Sequence, residues 1–307
     1  MDPHRLGLIS TRLHYFQLVA QLGSIRQAAR VLNVAPSSIS RVIGQLEDEL
    51  QTPLFERIRQ RLKLTSAGEI LLYRTRASQG EMTRAYTEIN DLQGLRRGTV
   101  TVAVVESIAR ELLLDVMSTF WESYPAITVD IKVMGSEHAF DAVADGECDI
   151  GIAFDIKTPR NAQRLAGTVL NMGALMHPGH RLAGRSELRL FDLAGERVVL
   201  SDASLSLGAS IEEALNGSSI DFGRRALTNS ITVMADLAMR GNGVALQTRI
   251  GVQREIRSGA LVFVPLRDPK LRPRKLVLLS RAKSGMSEAA SSLATMLTRA
   301  IEGLSGG

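Results

Sequence analysis

Cysteine is nearly absent from this chain. Cys148 stands alone among 307 residues, which excludes a disulfide framework and a cysteine-rich zinc site. With no second cysteine for it to pair with, this thiol reads as a packed core residue and not as a redox sensor. Aromatic residues are scarce, at 4% with a single Trp. No run approaches the ~20 apolar residues that a membrane helix needs. The opening stretch, MDPHRLGLISTRLHYF, has neither a long apolar core nor a small-residue cleavage site, so it is not read as a secretory signal. The expectation is a soluble, cytoplasmic protein with no membrane partner. Catalytic signatures are missing as well: no G-x-S-x-G elbow, nucleophile–histidine pairing or paired-carboxylate spacing stands out. The chain is therefore read as no enzyme, with no catalytic residues and no resident cofactor. His177 and His180, in HPGH, have no nearby third ligand and are not read as a metal site. Gly241-Asn242-Gly243 lacks the preceding strand and the spacing of a dinucleotide loop, and reads as a helix-to-strand turn.

Apolar residues are plentiful, at 45%, enough for the cores of the two or three domains that this length suggests. The net charge of +5 is unevenly placed. Residues 1–64 hold nine Lys/Arg against five Asp/Glu, residues 65–97 five against four, and residues 98–307 twenty-three of each. All the surplus positive charge lies in the first third. Such asymmetry points to an anionic polymer as the partner of that end alone.

The same third contains SIRQAARVLNVAPSSISRVIGQLE, residues 24–47. Ser24 and Gln27 have the spacing of a capping box. Ala28, Ala29 and Leu32 then share a helical face small enough for a second helix to approach closely. Asn33 and Val34 make a turn. Pro36 suits the first turn of a second helix, which runs to Leu50 and buries Ile39, Val42, Ile43 and Leu46. Its other face carries Ser37, Ser38, Ser40 and Arg41, with no acid before Glu47. Serine can serve several bases in a major groove, and arginine can pair bidentately with guanine. A helical hairpin inside some unrelated core would share the pattern. A preceding helix, near residues 11–22, buries Leu13, Phe16, Val19 and Ala20.

TPLFERIRQRLKLT, residues 52–65, reads as a β-ribbon with Arg57, Arg59, Arg61 and Lys63 on or near its tip. Beside such a hairpin a cationic ribbon is a wing able to reach phosphate or a narrow minor groove; alone it would read equally as a solvated hairpin. Thr65 or Ser66 can cap the next helix, and Ser66 with Glu69 fits a capping box. Residues 66–95 lack proline. About 30 helical residues span roughly 45 Å, a length that suits a dimerising spacer.

From Gly98 the pattern changes. Thr99–Val105 alternates like a strand, ARELLLDVMSTFWESY is amphipathic, ITVDIKVM is a second strand, HAFDAVADGE a helix and CDIGIAF an apolar strand. This order implies parallel pairing with helices on both faces. A second run follows: AGTVLNMGALM, FDLAGERVVLS, a helix through IEEALNG, the helix TVMADLAMRG and the strand GVALQT. RKLVLLS is a late strand, and residues 287–304 form a final helix. Two α/β units with the chain end free to return to the first suggest two lobes around a cleft.

With both halves in view, the chain resembles the LysR-type bacterial transcriptional regulators. The N-terminal likeness lies in Ala28-Ala29, Ser40-Arg41, Leu46-Glu47, PLFER at residues 53–57 and LTSAG at residues 64–68. The C-terminal likeness lies in LRRGTVTVAV, FWESYPAITVDI, DAVADGECDIGIAF, HPGHRLAG and MRGNGVAL. Two features depart from it. Many relatives open the recognition helix with Ser-Gln-Pro or Ser-Gln-Ser, where this chain has Ala35-Pro36-Ser37, losing a side-chain cap and an adenine-reading glutamine. Gln247-Thr248-Arg249 stands where relatives often have Leu-Pro.

The resemblance implies an α+β multidomain fold. Residues 1–64 would form a winged helix-turn-helix, 65–97 a linker and dimerisation helix, and 98–307 a two-lobed α/β domain like a type 2 periplasmic binding protein. Lobe I would span about 98–168 and 274–307, and lobe II about 169–273. The implied function is sequence-specific regulation of transcription, tuned by a small-molecule effector, or co-inducer, held between the lobes. The implied partners are double-stranded DNA, the effector, a homodimer or tetramer, and RNA polymerase. DNA would be met by Pro36, Ser37, Ser38, Ser40 and Arg41, and by Arg59, Arg61 and Lys63 of the wing. The effector would sit at strand ends and helix N-termini, where free N–H groups favour a carboxylate. Ser107, Ser136, Ser201, Asp202, Ser204, Asn229 and Ser230 land there, and each reads equally as an ordinary N-cap or loop residue. Glu106 would repel a carboxylate unless it faces solvent or meets a cationic group on the effector.

Overall fold

A computed structural model describes residues 10–58, 61–92, 98–154, 157–158, 162–216, 218–281 and 286–306. They form two compact units.

The first unit packs α1 (Thr11–Leu22), α2 (Ile25–Leu32) and α3 (Pro36–Leu50) against the ribbon β1 (Phe55–Ile58) and β2 (Arg61–Leu64), followed by α4 (Ser66–Leu92). Local chemistry sets each boundary. Gly23 ends α1 at φ +62°, its N–H donating to the Val19 carbonyl. The Ser24 hydroxyl accepts from the Gln27 N–H at 3.4 Å, and Asn33 closes α2 in the left-handed conformation. The Glu47 carboxylate accepts from Leu54 N–H at 2.8 Å and Phe55 N–H at 3.1 Å, which fixes the turn from α3 into the ribbon. Thr65, and not Ser66, caps α4: its Oγ1 accepts from Gly68 N–H at 3.1 Å and donates to the Pro53 carbonyl at 2.7 Å. A Cβ at Gly68 would collide with the Leu54 carbonyl oxygen, so any side chain there would force α4 off the ribbon. Phe16, Ala28, Ile39 and Leu54 are fully buried at the centre, and the Phe16 and Phe55 rings meet at 5.4 Å.

The second unit opens with β3 (Gly98–Val104), α5 (Glu106–Arg110), α6 (Leu112–Ser123), β4 (Ile127–Val133), α7 (Ser136–Ala144), β5 (Ile150–Phe154) and β6 (Ala162–Leu170). It continues with β7 (Met172–Met176), β8 (Arg197–Ser201), α8 (Ser206–Leu215), β9 (Gly223–Thr228), α9 (Ile231–Met239), β10 (Val244–Thr248), α10 (Gln253–Arg257) and β11 (Val262–Pro265), then β12 (Arg274–Arg281) and α11 (Glu288–Glu302). Two five-stranded sheets result, in the orders β4-β3-β5-β12-β6 and β11-β7-β10-β8-β9. Each has its own apolar core. Cys148 is buried in the first.

The expectation of parallel pairing holds within each lobe and fails at the crossovers. β12 is antiparallel to β5 and β6, and β7 is antiparallel to β10 and β11. Each reversed strand is the one that arrives from the other lobe, so its direction is set by where the chain comes from. AGTVLNMGALM is not one strand: it breaks at Asn171, with β6 in the first sheet to Leu170 and β7 in the second. The lobes therefore part near residue 171 and not at 168. The expected single helix after β3 is interrupted at Glu111, where φ −136° and ψ −72° separate α5 from α6.

Candidate nucleic-acid interface and ligand cleft

On α3 the residues at 39, 43 and 46 are buried and those at 37, 40, 41 and 45 are exposed. At 100° per residue, Ser37, Arg41, Gly44 and Asp48 lie opposite the core and define the centre of the outward face. Pro36 and Ser40 are exposed at its margin, while Ser38 is half-buried on the flank. A Cβ at Gly44 would meet nothing within 4 Å, so the middle of this face is bare backbone with room for a close approach. Arg41 makes no ion pair among the described residues. Gln45 was missed in reading the sequence, although continuing the helical stripe one turn past Arg41 reaches it.

In the ribbon, Lys63 pairs with Glu56 and Arg61 with Ile58. These four share the outward side, and Leu62 and Leu64 turn half-buried toward the core. Arg61 and Lys63 therefore project together, and Lys63 faces a carboxylate across the ribbon. Arg59 lies outside the described residues.

The second unit holds a cavity of about 340 Å³ between its two sheets. Ser107, Ser136, Ser204 and Asn229 line it; Ser201, Asp202 and Ser230 do not. Ser201 is buried at the end of β8. Asp202 shapes the following loop, its Oδ1 accepting from the Ser204 N–H at 2.9 Å and hydroxyl at 2.6 Å. Ser230 caps α9. The wall also includes Ser206, Gln247, Thr248 and Arg274; the sequence marks Gln247 and Thr248 only as a departure from the family pattern, and Ser206 and Arg274 not at all. Arg274 is only 3% exposed. Its Nη2 donates to the Ser206 hydroxyl at 2.7 Å, and its guanidinium lies 4.9 Å from the centre of the Phe154 ring. Ser206 in turn meets Ser136 at 3.3 Å, and Ser136 accepts from the Phe154 N–H at 3.1 Å. An arginine just ahead of the apolar run Leu276–Leu279 was the available signal.

Glu106 answers the difficulty it raised. Its carboxylate crosses to the other lobe and takes the N-terminus of α9, accepting from the Ser230 hydroxyl at 2.9 Å, Ile231 N–H at 2.7 Å, and the Thr232 N–H and hydroxyl at 3.2 and 2.7 Å. Burial pushes this carboxyl up, but the Thr232 hydroxyl, the Ile231 N–H, the Ser230 hydroxyl and the Thr232 N–H together outweigh it and hold the group below its ordinary value. The expected place for an effector carboxylate at Asn229–Ser230 is thus filled by a carboxylate of the chain itself. Glu111 repeats the device, accepting from Gln253 N–H at 3.0 Å and Arg254 N–H at 2.8 Å. Arg110 pairs with Glu255 at 2.7 Å. Gly251, at φ +84°, lets the two lobes touch: a Cβ there would lie 2.7 Å from the Ser107 carbonyl oxygen.

Comparison with known proteins bears on both sites. The family model of the bacterial regulatory helix-turn-helix protein, lysR family, matches residues 10–69, and that of the LysR substrate binding domain matches residues 93–302. The chain is 26% identical over 235 residues to the uncharacterized HTH-type transcriptional regulator YybE of Bacillus subtilis, covering 76% of this chain and 80% of that one. It is 29% identical over 264 residues to a probable nitrogen assimilation transcriptional activator of Synechococcus elongatus, covering 85% of each. Among solved structures, a full-length OxyR variant from Pseudomonas aeruginosa superposes with a TM-score of 0.64 at 18% identity, covering 95% of this chain and 94% of that one. Full-length CbnR complexed with its target DNA gives 0.64 at 19% identity, covering 94% and 98%. At these identities the structures establish likeness of fold.

Proposed function

The chain belongs to the LysR family of bacterial transcriptional regulators, and on that premise we propose that it reads its operator with α3 and the ribbon while an effector in the cleft tunes that reading. The carrying observation is the outward face of α3, which sets Ser37, Ser40 and Arg41 around a bare Gly44 opposite a fully packed core. On this reading Pro36 and Ser38 stand at the margins of the interface, and Arg61 and Lys63 hold backbone phosphate, with Arg59 expected to join them. In a homodimer joined through α4, two such helices would enter successive major grooves about 34–36 Å apart. Residues 1–64, 65–97 and 98–307 are proposed as the DNA-binding, linker and effector-binding segments. A tetramer, contact with RNA polymerase and action in the cytoplasm extend the proposal by analogy with the family.

The effector is proposed to meet Ser107, Ser136, Ser204 and Asn229. Ser201, Asp202 and Ser230 act behind them, as buried strand end, loop support and helix cap. An enzyme would turn its cleft ligand over, whereas this chain should release it unchanged.

Arg41→Ala tests the DNA reading. Measured against a fragment from the protein's own promoter region and a scrambled competitor, it should cost cognate binding ~1–3 kcal/mol, the range of a good bidentate base contact, and barely change binding to the competitor. Equal losses on both would reduce Arg41 to a phosphate contact. A native chain with no preference for any promoter fragment would overturn the proposal.

A further inference from the structure

Gln247, near the end of β10, is 1% exposed and lines the cavity. Neither its Nε2 nor its Oε1 has a hydrogen-bond partner among the described residues. A buried primary amide with nothing to bond is destabilising, and such groups are rare in folded interiors. The three preceding strand residues, Val244, Ala245 and Leu246, are fully buried and apolar, so an apolar side chain would fit the strand better. Two donors and one acceptor are thus kept at the cavity wall at a cost to the ligand-free fold.

Arg274 supplies the second half of the pattern. Among the described lining residues it is the one Arg or Lys, and Glu106 the one acid. The charge of Glu106 is already held by four donors at α9. Arg274 brings a guanidinium with several N–H donors to the wall beside Ser206 and Ser136, and elsewhere the wall carries an amide. A simple carboxylate could use the Gln247 donors but would leave Oε1 unmet. An N–H beside a C=O satisfies both ends of a glutamine amide at once.

We infer that the effector is a small organic anion bearing an amide-type edge, such as a lactam, ureido or pyrimidinedione group. Its anionic group lies on the Arg274–Ser206 side and its amide edge lies against Gln247. The volume of about 340 Å³ is at the small end for ligand pockets and admits one compact metabolite. This inference rests on the cleft being the effector site.

The test uses the full chain and calorimetry with matched probes. 5-Oxoproline and orotate carry both groups, cyclopentanecarboxylate and benzoate only the acid, and 2-pyrrolidinone and uracil only the amide; simple amines and sugars complete the panel. At least one probe with both groups should bind ten or more times tighter than its acid-only partner. Gln247→Met should erase that tenfold preference, keep acid binding, and raise the melting temperature of the ligand-free chain. Arg274→Met should weaken every acid, with Arg274→Lys intermediate. Acid-only probes binding as tightly as those with both groups, a preference that survives Gln247→Met, or a lowered melting temperature in that variant would overturn the inference. Amines or sugars that bind and are blocked by Ser204→Trp at the cavity wall would leave the cleft reading standing and sink this one. No binding by any probe, or binding untouched by Ser204→Trp, would sink both.

Discussion

Glu106 shows how one side chain can be misjudged from sequence and still be decisive. An acid beside the first strand end looks like a barrier to an anionic ligand. Folded, it is the anion that α9 requires, because free N–H groups and the helix dipole make that terminus a carboxylate site and the chain fills it from the opposite lobe. Since its folded carboxyl lies below the ordinary value, its contribution is fully present above the unfolded value, near 4.3, and is lost as pH falls through the folded one. Glu106→Gln replaces two acceptor oxygens with one and turns an N–H₂ toward a ring of donors. The variant should be about 1.5–3 kcal/mol less stable than the native chain, the range for hydrogen bonds to a charged group. Denaturant unfolding of the full chain at several pH values should find that difference constant from neutrality to about pH 5 and shrinking in stronger acid. A difference that grew in acid would show that the carboxylate is not held by these donors.

Helices with strong amphipathic spacing were legible, because burial follows the 3.6-residue period directly. α2, α3 and α11 lie where the apolar positions demand, with Val42 of α3 only half-buried; α1 also forms, but of the expected Leu13, Phe16, Val19 and Ala20 it buries only Phe16 and Val19. What escaped was short or defined by contact. β11 is apolar but has only four residues and ends on Pro265, which suits a sheet edge, and β9 sits at the other edge with Arg225 and Leu227 exposed, so it lacks the apolar run of a central strand. The wing was legible as alternation, and its pairing register adds something the alternation could not. Lys63 stands opposite Glu56, whereas Arg61 stands opposite Ile58. Arg61→Ala should therefore flatten the log–log salt dependence of DNA binding by about one unit, the share of one phosphate contact, and Lys63→Ala by less. Equal slopes in all three proteins would remove the ribbon from the interface.

α4 carries a further stripe. Met82, Ala85 and Ile89, spaced i, i+3, i+7, are all exposed, an apolar line with no cover in the described chain and the right form for pairing with a second copy. Met82→Glu with Ile89→Glu should convert the protein to monomers in light scattering and weaken operator binding together. A dimer that persists in the double variant would place the pairing surface elsewhere.

The cleft was only partly legible, for a reason that belongs to the whole chain. Ser107 and Ser136 follow strands of one lobe, Ser204 and Asn229 follow strands of the other, and strand-then-helix order is enough to place them at one rim. Gln247 and Arg274 sit inside strands, where period alone cannot say which face meets the opposite lobe. Their approach is decided by two crossings of the chain, near Asn171 and again between Pro265 and Arg274, that reverse one strand in each sheet. The same crossings leave the lobes joined by contacts from residues 106–111 to the N-termini of α9 and α10, far along the chain. The two carboxylates, Glu106 and Glu111, thus share one lobe interface. If they act as a unit, loosening one must expose amides held by the other. Hydrogen exchange should then show faster exchange at Gln253 and Arg254 in Glu106→Gln, and at Ile231 and Thr232 in Glu111→Gln, although neither substitution touches those amides. Exchange confined to each variant's own partners would mean two independent tethers, and lobe closure would have to be driven by the effector alone.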